Sequence, residues 1–148
     1  LETICFRYFN VYGERQLTEG AYACVLGIFE NQLDNNLPMT IRGDGKQLRD
    51  FTHVSDVVDV NIKASRLEMK FLGDVFNIGT GTNYSINEIA KMMDGPTKTI
   101  SKVKEPFETL ADVSKANFVL KYHPKIILRN WIFKQKAKKI RDALKLWK

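Results

Sequence analysis

Gly43–Asp56 reads GDGKQLRDFTHVSD, and its parts ask for different backbone. Gly43-Asp44-Gly45 is a turn that wants positive φ, a conformation glycine adopts without a Cβ clash. Leu48–Val54 follows as an extended segment, and Ser55 with Asp56 provides an N-cap and a first-turn acid for a helix. Met39–Arg42, just before the turn, reads as a short strand. A basic residue at a strand end beside a glycine turn can meet a phosphate, and Arg49 offers a planar two-pronged donor. A hairpin holding a structural Arg49–Asp50 pair accounts for the same residues equally well.

On the N-terminal side, Thr3–Phe9 is β-branched and aromatic and reads as a strand buried on both faces except at Arg7. Asn10–Thr18 is a polar loop turning at Gly13. Tyr22, Val25, Leu26, Phe29 and Leu33 fall at helical spacing, and Asn35-Asn36 before Pro38 ends that helix. On the C-terminal side, Val57, Val60, Ala64 and Leu67 mark the buried face of a helix to about Met69, broken by Gly73-Asp74. Val75–Ile78 is a strand. A Gly79–Tyr84 loop leads to a capping box, Ser85 with Glu88, opening a helix to Met93 that Asp94-Gly95-Pro96 stops. Thr99–Val103 reads as a strand, Lys104–Thr109 as a polar loop, and Ala111–Leu120 as a short helix started by Asp112 or Ser114. The last helix runs from about Arg129 to Lys145. Strands alternating with helices predict an α/β fold with parallel pairings.

The 148 residues are 44% hydrophobic and 27% charged, the composition of an ordinary folded protein. No apolar run approaches a membrane span, Leu1–Asn10 has neither the basic start nor the long apolar core of a signal peptide, and the chain reads as cytoplasmic. Cys5 and Cys24 sit in apolar settings and read as buried thiols in a reducing compartment. The net charge of +6 is local, because residues 131–148 hold seven basic groups against Asp142. Residues 1–130 are balanced, so the basic pI does not mark the body as a nucleic-acid binder. Phe133, Ala137, Ile140, Leu144 and Trp147 form one apolar stripe opposed by lysines, expected to pack on the domain with the lysines in water. A neighbouring subunit, an anionic membrane surface or another partner is the alternative cover.

Gly79-Thr80-Gly81 follows a strand and precedes a helix as a dinucleotide loop would, but Tyr84 stands where a small residue is required, which favours a plain strand-to-helix turn. None of the five tyrosines has a lysine four residues on, so no phenol is activated by a neighbouring amine in the Tyr-x-x-x-Lys manner. Zinc spacing, a Gly-x-Ser-x-Gly elbow and a P-loop are also missing, and no metal site is expected. His53 and His123 read as structural.

Four motifs recur in order: Arg7-Tyr8-Phe9-Asn10-Val11-Tyr12-Gly13; Gly43-Asp44-Gly45 with Gln47, Arg49-Asp50-Phe51, His53-Val54 and Asp56; Phe76–Gly81; and Ala111-Asp112 with Ser114-Lys115-Ala116. Together they resemble the C-terminal half of an extended short-chain dehydrogenase/reductase, in the NAD-dependent nucleotide-sugar epimerase and dehydratase family of the UDP-glucose 4-epimerase type. The resemblance implies the substrate-binding portion of a Rossmann-type α/β enzyme over residues 1–130, the N-terminal dinucleotide-binding half being absent; the basic amphipathic helix over 131–148 lies beyond its reach. It implies that Asn10 contacts the substrate near its diphosphate, that Arg49 binds phosphate, and that the Leu37–Ile41 segment, with Leu37, Thr40 and Ile41, flanks the base. Tyr8 would lie beside the nicotinamide of NAD, held mainly by the missing half. Where the family has Arg-x-Gly-Asp/Glu, this chain has Lys102-Val103-Lys104-Glu105; Lys102 offers a point charge without a fork, and Glu105 a ribose ligand.

The implied reaction is sugar 4-epimerisation, with 4,6-dehydration or reduction as alternatives in the same family and a non-catalytic interaction module as the competing class. No catalytic residue is expected in this segment, which should be inactive alone. The full-length parent is expected to be a homodimer, and Thr3–Phe9 to be an aggregation-prone edge in isolation.

Overall fold

The computed structural model describes residues 2–145. Along the chain these form β1 (Thr3–Tyr8), β2 (Val11–Tyr12), α1 (Val25–Asp34), β3 (Met39–Arg42), β4 (Leu48–Asp50), β5 (Thr52–His53) and α2 (Val54–Ser65). They continue as β6 (Leu72–Ile78), β7 (Asn83–Ser85), α3 (Ile86–Met93), β8 (Thr97–Ile100), β9 (Glu108–Thr109), α4 (Ser114–Leu120) and α5 (Leu128–Lys145). The fold is α/β with parallel pairing dominant: β1 with β6, β2 with β5, β3 with β8 and β4 with β9, while β4 and β7 run antiparallel.

Gly43 (φ 63°) and Gly45 (φ 69°) take the left-handed conformation their turn requires. A Cβ on Gly45 would also stand 2.8 Å from Ile41 Cγ2. The turn does not close a hairpin, because β3 pairs with β8 and β4 with β7 and β9. Arg49 and Asp50 likewise do not pair with each other, and each has other partners.

Two apolar clusters fill the interior. One joins Tyr12, Leu26, Phe29, Met39, Ile41, Phe51, Ile89 and the start of α5 through Leu128, Trp131 and Ile132. The other gathers Val60, Phe71, Phe76, Ile78, Ala116, Leu120 and Tyr122. At about 25 cal/mol per Å² of apolar surface, fully burying a side chain such as Phe29 or Ile78 stabilises by about 1.5–3 kcal/mol.

Several expectations are corrected. Thr3–Tyr8 is not buried on both faces: Ile4 and Phe6 are half-buried and the rest is exposed, because β6 is its sole strand partner among the described residues. Cys5 is therefore exposed rather than a buried thiol, whereas Cys24 is partly buried. The polar loop at 10–18 contains β2, and the loop at 104–109 contains β9. Strand β6 begins at Leu72, ahead of the expected break at Gly73-Asp74, and β7 extends the start of α3. Strand β8 lies two residues earlier than expected.

Helix α1 starts at Val25, leaving Tyr22 outside it and 93% exposed. The cap of α2 is His53, whose Nδ1 accepts from the Ser55 amide at 3.1 Å, and that helix ends at Ser65. The Ser85–Glu88 capping box is formed as the sequence predicts. Helix α5 faces the other way from the expectation. Gln135, Lys136 and Lys139 meet the domain, Lys136 at Asp94 (3.1 Å) and Lys139 at Asp34 (2.6 Å) and Glu30 (3.4 Å), while Phe133, Ile140 and Leu144 are exposed. Burial opposes the Lys139 charge, but the Asp34 hydrogen bond and the Glu30 field outweigh it and raise its pKa. Trp147 lies outside the described residues.

Candidate functional site

Strand β4 presents its residues to two sides, and both matter. Arg49, 9% exposed, donates from Nη2 to Glu105 Oε2 (2.6 Å) and from Nη1 to the carbonyls of Leu48 (2.7 Å) and Phe107 (3.3 Å). Asp50, fully buried, accepts from the Thr80 amide (2.9 Å) and hydroxyl (2.6 Å), the Gly81 amide (2.9 Å) and the Ala111 amide (3.2 Å). One carboxylate thus ties the β6–β7 loop and the segment before α4 to the strand that carries Arg49. Such charge-assisted bonds contribute about 1.5–3 kcal/mol each when a partner is removed.

The Asp50 web decides what the Gly79 turn is. Its amides point at a carboxylate, where a dinucleotide loop would offer them to a pyrophosphate. A Cβ on Gly79 would sit 2.7 Å from Asp50 Oδ2. The glycine is there for close packing, and this turn does not offer its amides to a diphosphate.

Asn10 follows β1 at φ 33°, and its Nδ2 donates to the Asp50 carbonyl (2.7 Å) and to Thr109 Oγ1 (3.4 Å). It lines a cavity of about 270 Å³ together with Cys24, Val25 and Ile28 of the α1 start, Thr40, Arg42, Gln47, Arg49 and Glu105. Four of the residues singled out in the sequence, Asn10, Thr40, Arg49 and Glu105, are therefore brought to one place. Gln47 Nε2 donates to the Arg42 carbonyl (3.0 Å) and lies 3.4 Å from Glu105 Oε1, and Gln32 holds Thr40 through both its side-chain oxygen and nitrogen.

The others are elsewhere. Ile41 alternates away from Thr40 into the core, as the pleat of a strand dictates. Leu37 is exposed ahead of β3, and the Lys102 stem lies against Gly43, both outside the lining. Tyr8, at the far end of β1, exchanges hydrogen bonds with the Asn61 side chain of α2, the shorter at 2.9 Å. Arg42 and Gln47 were missed as cavity residues. The signal for Arg42 was in plain sight, since it too is a basic residue ending a strand beside the glycine turn.

The buried tyrosines are held neutral. Burial, and then the field of Asp56, push the phenols of Tyr12 and Tyr122 above their ordinary range. Tyr122 donates to the Gly79 carbonyl (2.9 Å), and Tyr12 packs edge-on against His53 and Trp131. Asp56 accepts from the amides of Lys125 and Ile126, pinning the approach to α5. No three His, Cys, Asp or Glu side chains gather as a metal site among the described residues.

The model of the family described as NAD dependent epimerase/dehydratase matches residues 1–79, which contain Asn10, Thr40 and Arg49. The chain belongs to that family. A UDP-N-acetyl-alpha-D-glucosaminuronate decarboxylase of Bacillus cytotoxicus is 35% identical over 133 residues, covering 81% of this chain and 40% of that protein. A putative UDP-glucose 4-epimerase of Methanocaldococcus jannaschii is 42% identical over 89 residues, covering 60% of this chain and 28% of its own length. In structure, the UDP-glucose 4-epimerase of Thermotoga maritima, solved with UDP-glucose, superposes with a TM-score of 0.80 at 32% identity over 97% of this chain and 47% of its own. The chain spans less than half the length of these relatives.

Proposed function

We propose that this chain is the nucleotide-sugar-binding part of an NAD-dependent sugar 4-epimerase acting on a UDP-sugar. The observation that carries the reading is the convergence of Asn10, Thr40, Arg49 and Glu105 on one cavity, in a family whose relatives here are named for UDP-sugars. In this reading the guanidinium of Arg49 grips the diphosphate as a bidentate donor, with Asn10 beside it. Glu105 holds Arg49 in place and accepts from ribose hydroxyls, and Thr40 flanks the base. Arg42 supplies the second positive charge, a role for which Lys102 is worse placed outside the lining.

NAD supplies and recovers the hydride in such chemistry. Its diphosphate is not bound by the Gly79 loop, and of these residues Tyr8 alone is assigned to it, beside the nicotinamide. The segment contributes binding without turnover, within a cytoplasmic homodimer when part of the full-length parent. The decarboxylase relative supports a second reaction on the same class of ligand, and the cavity serves either, since it addresses the nucleotide.

Titration of the chain with UDP, UMP and uridine tests this. UDP should bind tightest, gaining about 1.5–3 kcal/mol over uridine from charge-assisted bonds to phosphate. Equal affinity for UDP and uridine would remove the diphosphate from the cavity, and epimerisation of UDP-glucose by these residues alone would contradict the binding-only role.

A further inference from the structure

Helix α5 is docked by one face and leaves the opposite one outward. Trp131 and Ile132 enter the core, Lys139 reaches Asp34 and Glu30, and Lys136 reaches Asp94. Directly across, Phe133 (57% exposed), Ala137, Ile140 (60%) and Leu144 (62%) line up within an arc of roughly 60° at 100° per residue. Lys134, Lys138, Arg141 and Lys145 run along one border of this stripe, all exposed. Of these, Lys145 alone forms an ion pair among the described residues, with Asp142 on its own helix at 3.5 Å, and Lys138 lies in the field of Glu14. Asp142 is the sole acid of residues 131–145 and projects toward the docked side, away from the stripe. At the Phe133 end the stripe borders Glu88 and Asp94, the latter already matched by Lys136.

Leu128, Trp131 and Ile132, buried in the core, fix which way the helix faces, and the Lys136 and Lys139 ion pairs lie on that same side. Turning the helix to bury the stripe would expose Trp131 and Ile132. A large apolar patch kept in water by specific contacts marks a surface that something else covers.

We propose that the outward face of α5 docks on an anionic lipid surface, with Phe133, Ile140 and Leu144 entering the headgroup boundary and Lys134, Lys138, Arg141 and Lys145 meeting lipid phosphates. Charge selects this occupant. A second copy of the same helix would bring two cationic borders together, whereas an anionic bilayer offers apolar depth under a negative surface. The helix has the composition of an in-plane anchor: a narrow apolar stripe, a strongly basic remainder and low net hydrophobicity. No helix among the described residues is long and apolar enough to cross a membrane, so contact would be at the surface.

Sedimentation of the 148-residue chain with vesicles of equal parts phosphatidylglycerol and phosphatidylcholine, against phosphatidylcholine alone, tests the proposal. Binding is expected to the anionic vesicles only, to weaken with added salt, and to fall about fivefold for each of Lys134→Gln and Lys138→Gln. Ile140→Asp combined with Leu144→Asp should abolish it while leaving thermal unfolding unchanged, because both side chains are exposed; Phe118→Asp, exposed on α4, is the control that should bind as before. Retention of vesicle binding by the Ile140/Leu144 variant would overturn the proposal. So would equal binding to neutral vesicles, or absence of vesicle binding with a concentration-dependent dimer lost in that same variant, which would assign the face to a second copy.

Discussion

Gly43–Asp56 and Thr3–Tyr8 invert the usual relation between composition and burial. The first is polar, yet Arg49, Asp50, Thr52, His53 and Asp56 are the buried polar residues of the described chain, and all five come from it. The second is apolar and aromatic, yet most of it faces water. Burial is set by what is packed against an element: Arg49 meets Glu105, Asp50 the amides of Thr80, Gly81 and Ala111, Thr52 the Ile78 carbonyl, and Asp56 the amides of Lys125 and Ile126. His53 Nδ1 meets the Ser55 amide, and its Nε2 is left without a hydrogen bond. Strand β1 has β6 on one edge; Ile4 and Phe6 pack against the second apolar cluster, while the alternate residues on its other face stay exposed.

The largest break in this contrast is Asp50→Ala, which strips the acceptor from the buried Ala111 amide, the part-buried Thr80 and Gly81 amides and the Thr80 hydroxyl. Urea unfolding should show a loss of about 3 kcal/mol, with the β6–β7 loop released. A loss below about 0.5 kcal/mol would mean the web is incidental.

Ser85→Ala comes next, at about 1 kcal/mol, by removing the hydroxyl that caps α3. The amide and hydroxyl of Ser85 hold the Glu88 carboxyl below its ordinary range. A depressed folded-state pKa gives stability that is present above the unfolded value and lost as pH falls through the folded one. The wild type should therefore lose the Glu88 contribution on acidification below the usual glutamate range, and Ser85→Ala, which keeps the amide bond and removes the hydroxyl, should weaken but not abolish that part of the stability profile. An unchanged acid limb would remove the Ser85 hydroxyl from the Glu88 interaction.

Cys5→Ser on exposed β1 should change stability by less than about 0.5 kcal/mol, the smallest effect of the series. Its thiol sharpens the comparison in another way. Burial pushes the Cys24 thiol up, so a thiol reagent at neutral pH should label Cys5 first, and UDP should slow labelling of Cys24 alone. Faster labelling of Cys24 would show that β1 is covered after all.

Local signals were legible where chemistry is local. Gly43 and Gly45 announced their φ, Ser85 and Glu88 their capping box, and the alternation of strands and helices the parallel α/β fold. Pairing across long separations was not. The missed strands β2, β7 and β9 are two or three residues long, too short for a period to register, and each exists through a partner distant in sequence. The Leu48–Val54 segment was read correctly as extended but not its neighbours, so a hairpin stayed open that β8 and β9 exclude. In the cavity, Arg49, Glu105, Thr40 and Asn10 were named from motif position. Ile41, in the same segment as Thr40, turns into the core because alternate residues of a strand face opposite ways. The outward turn of α5 follows from Leu128, Trp131 and Ile132 docking in the core, with Glu30, Asp34 and Asp94 meeting its lysines on that side, and these tertiary partners are not contained in the helix's own pattern.

The central claim is that Arg49 makes this cavity a diphosphate site. Calorimetric titration of UDP and of uridine into the wild-type chain and Arg49→Ala addresses it directly. UDP affinity should fall by about 1.5–3 kcal/mol in the variant while uridine affinity stays the same. UDP binding unchanged by the substitution would contradict the account.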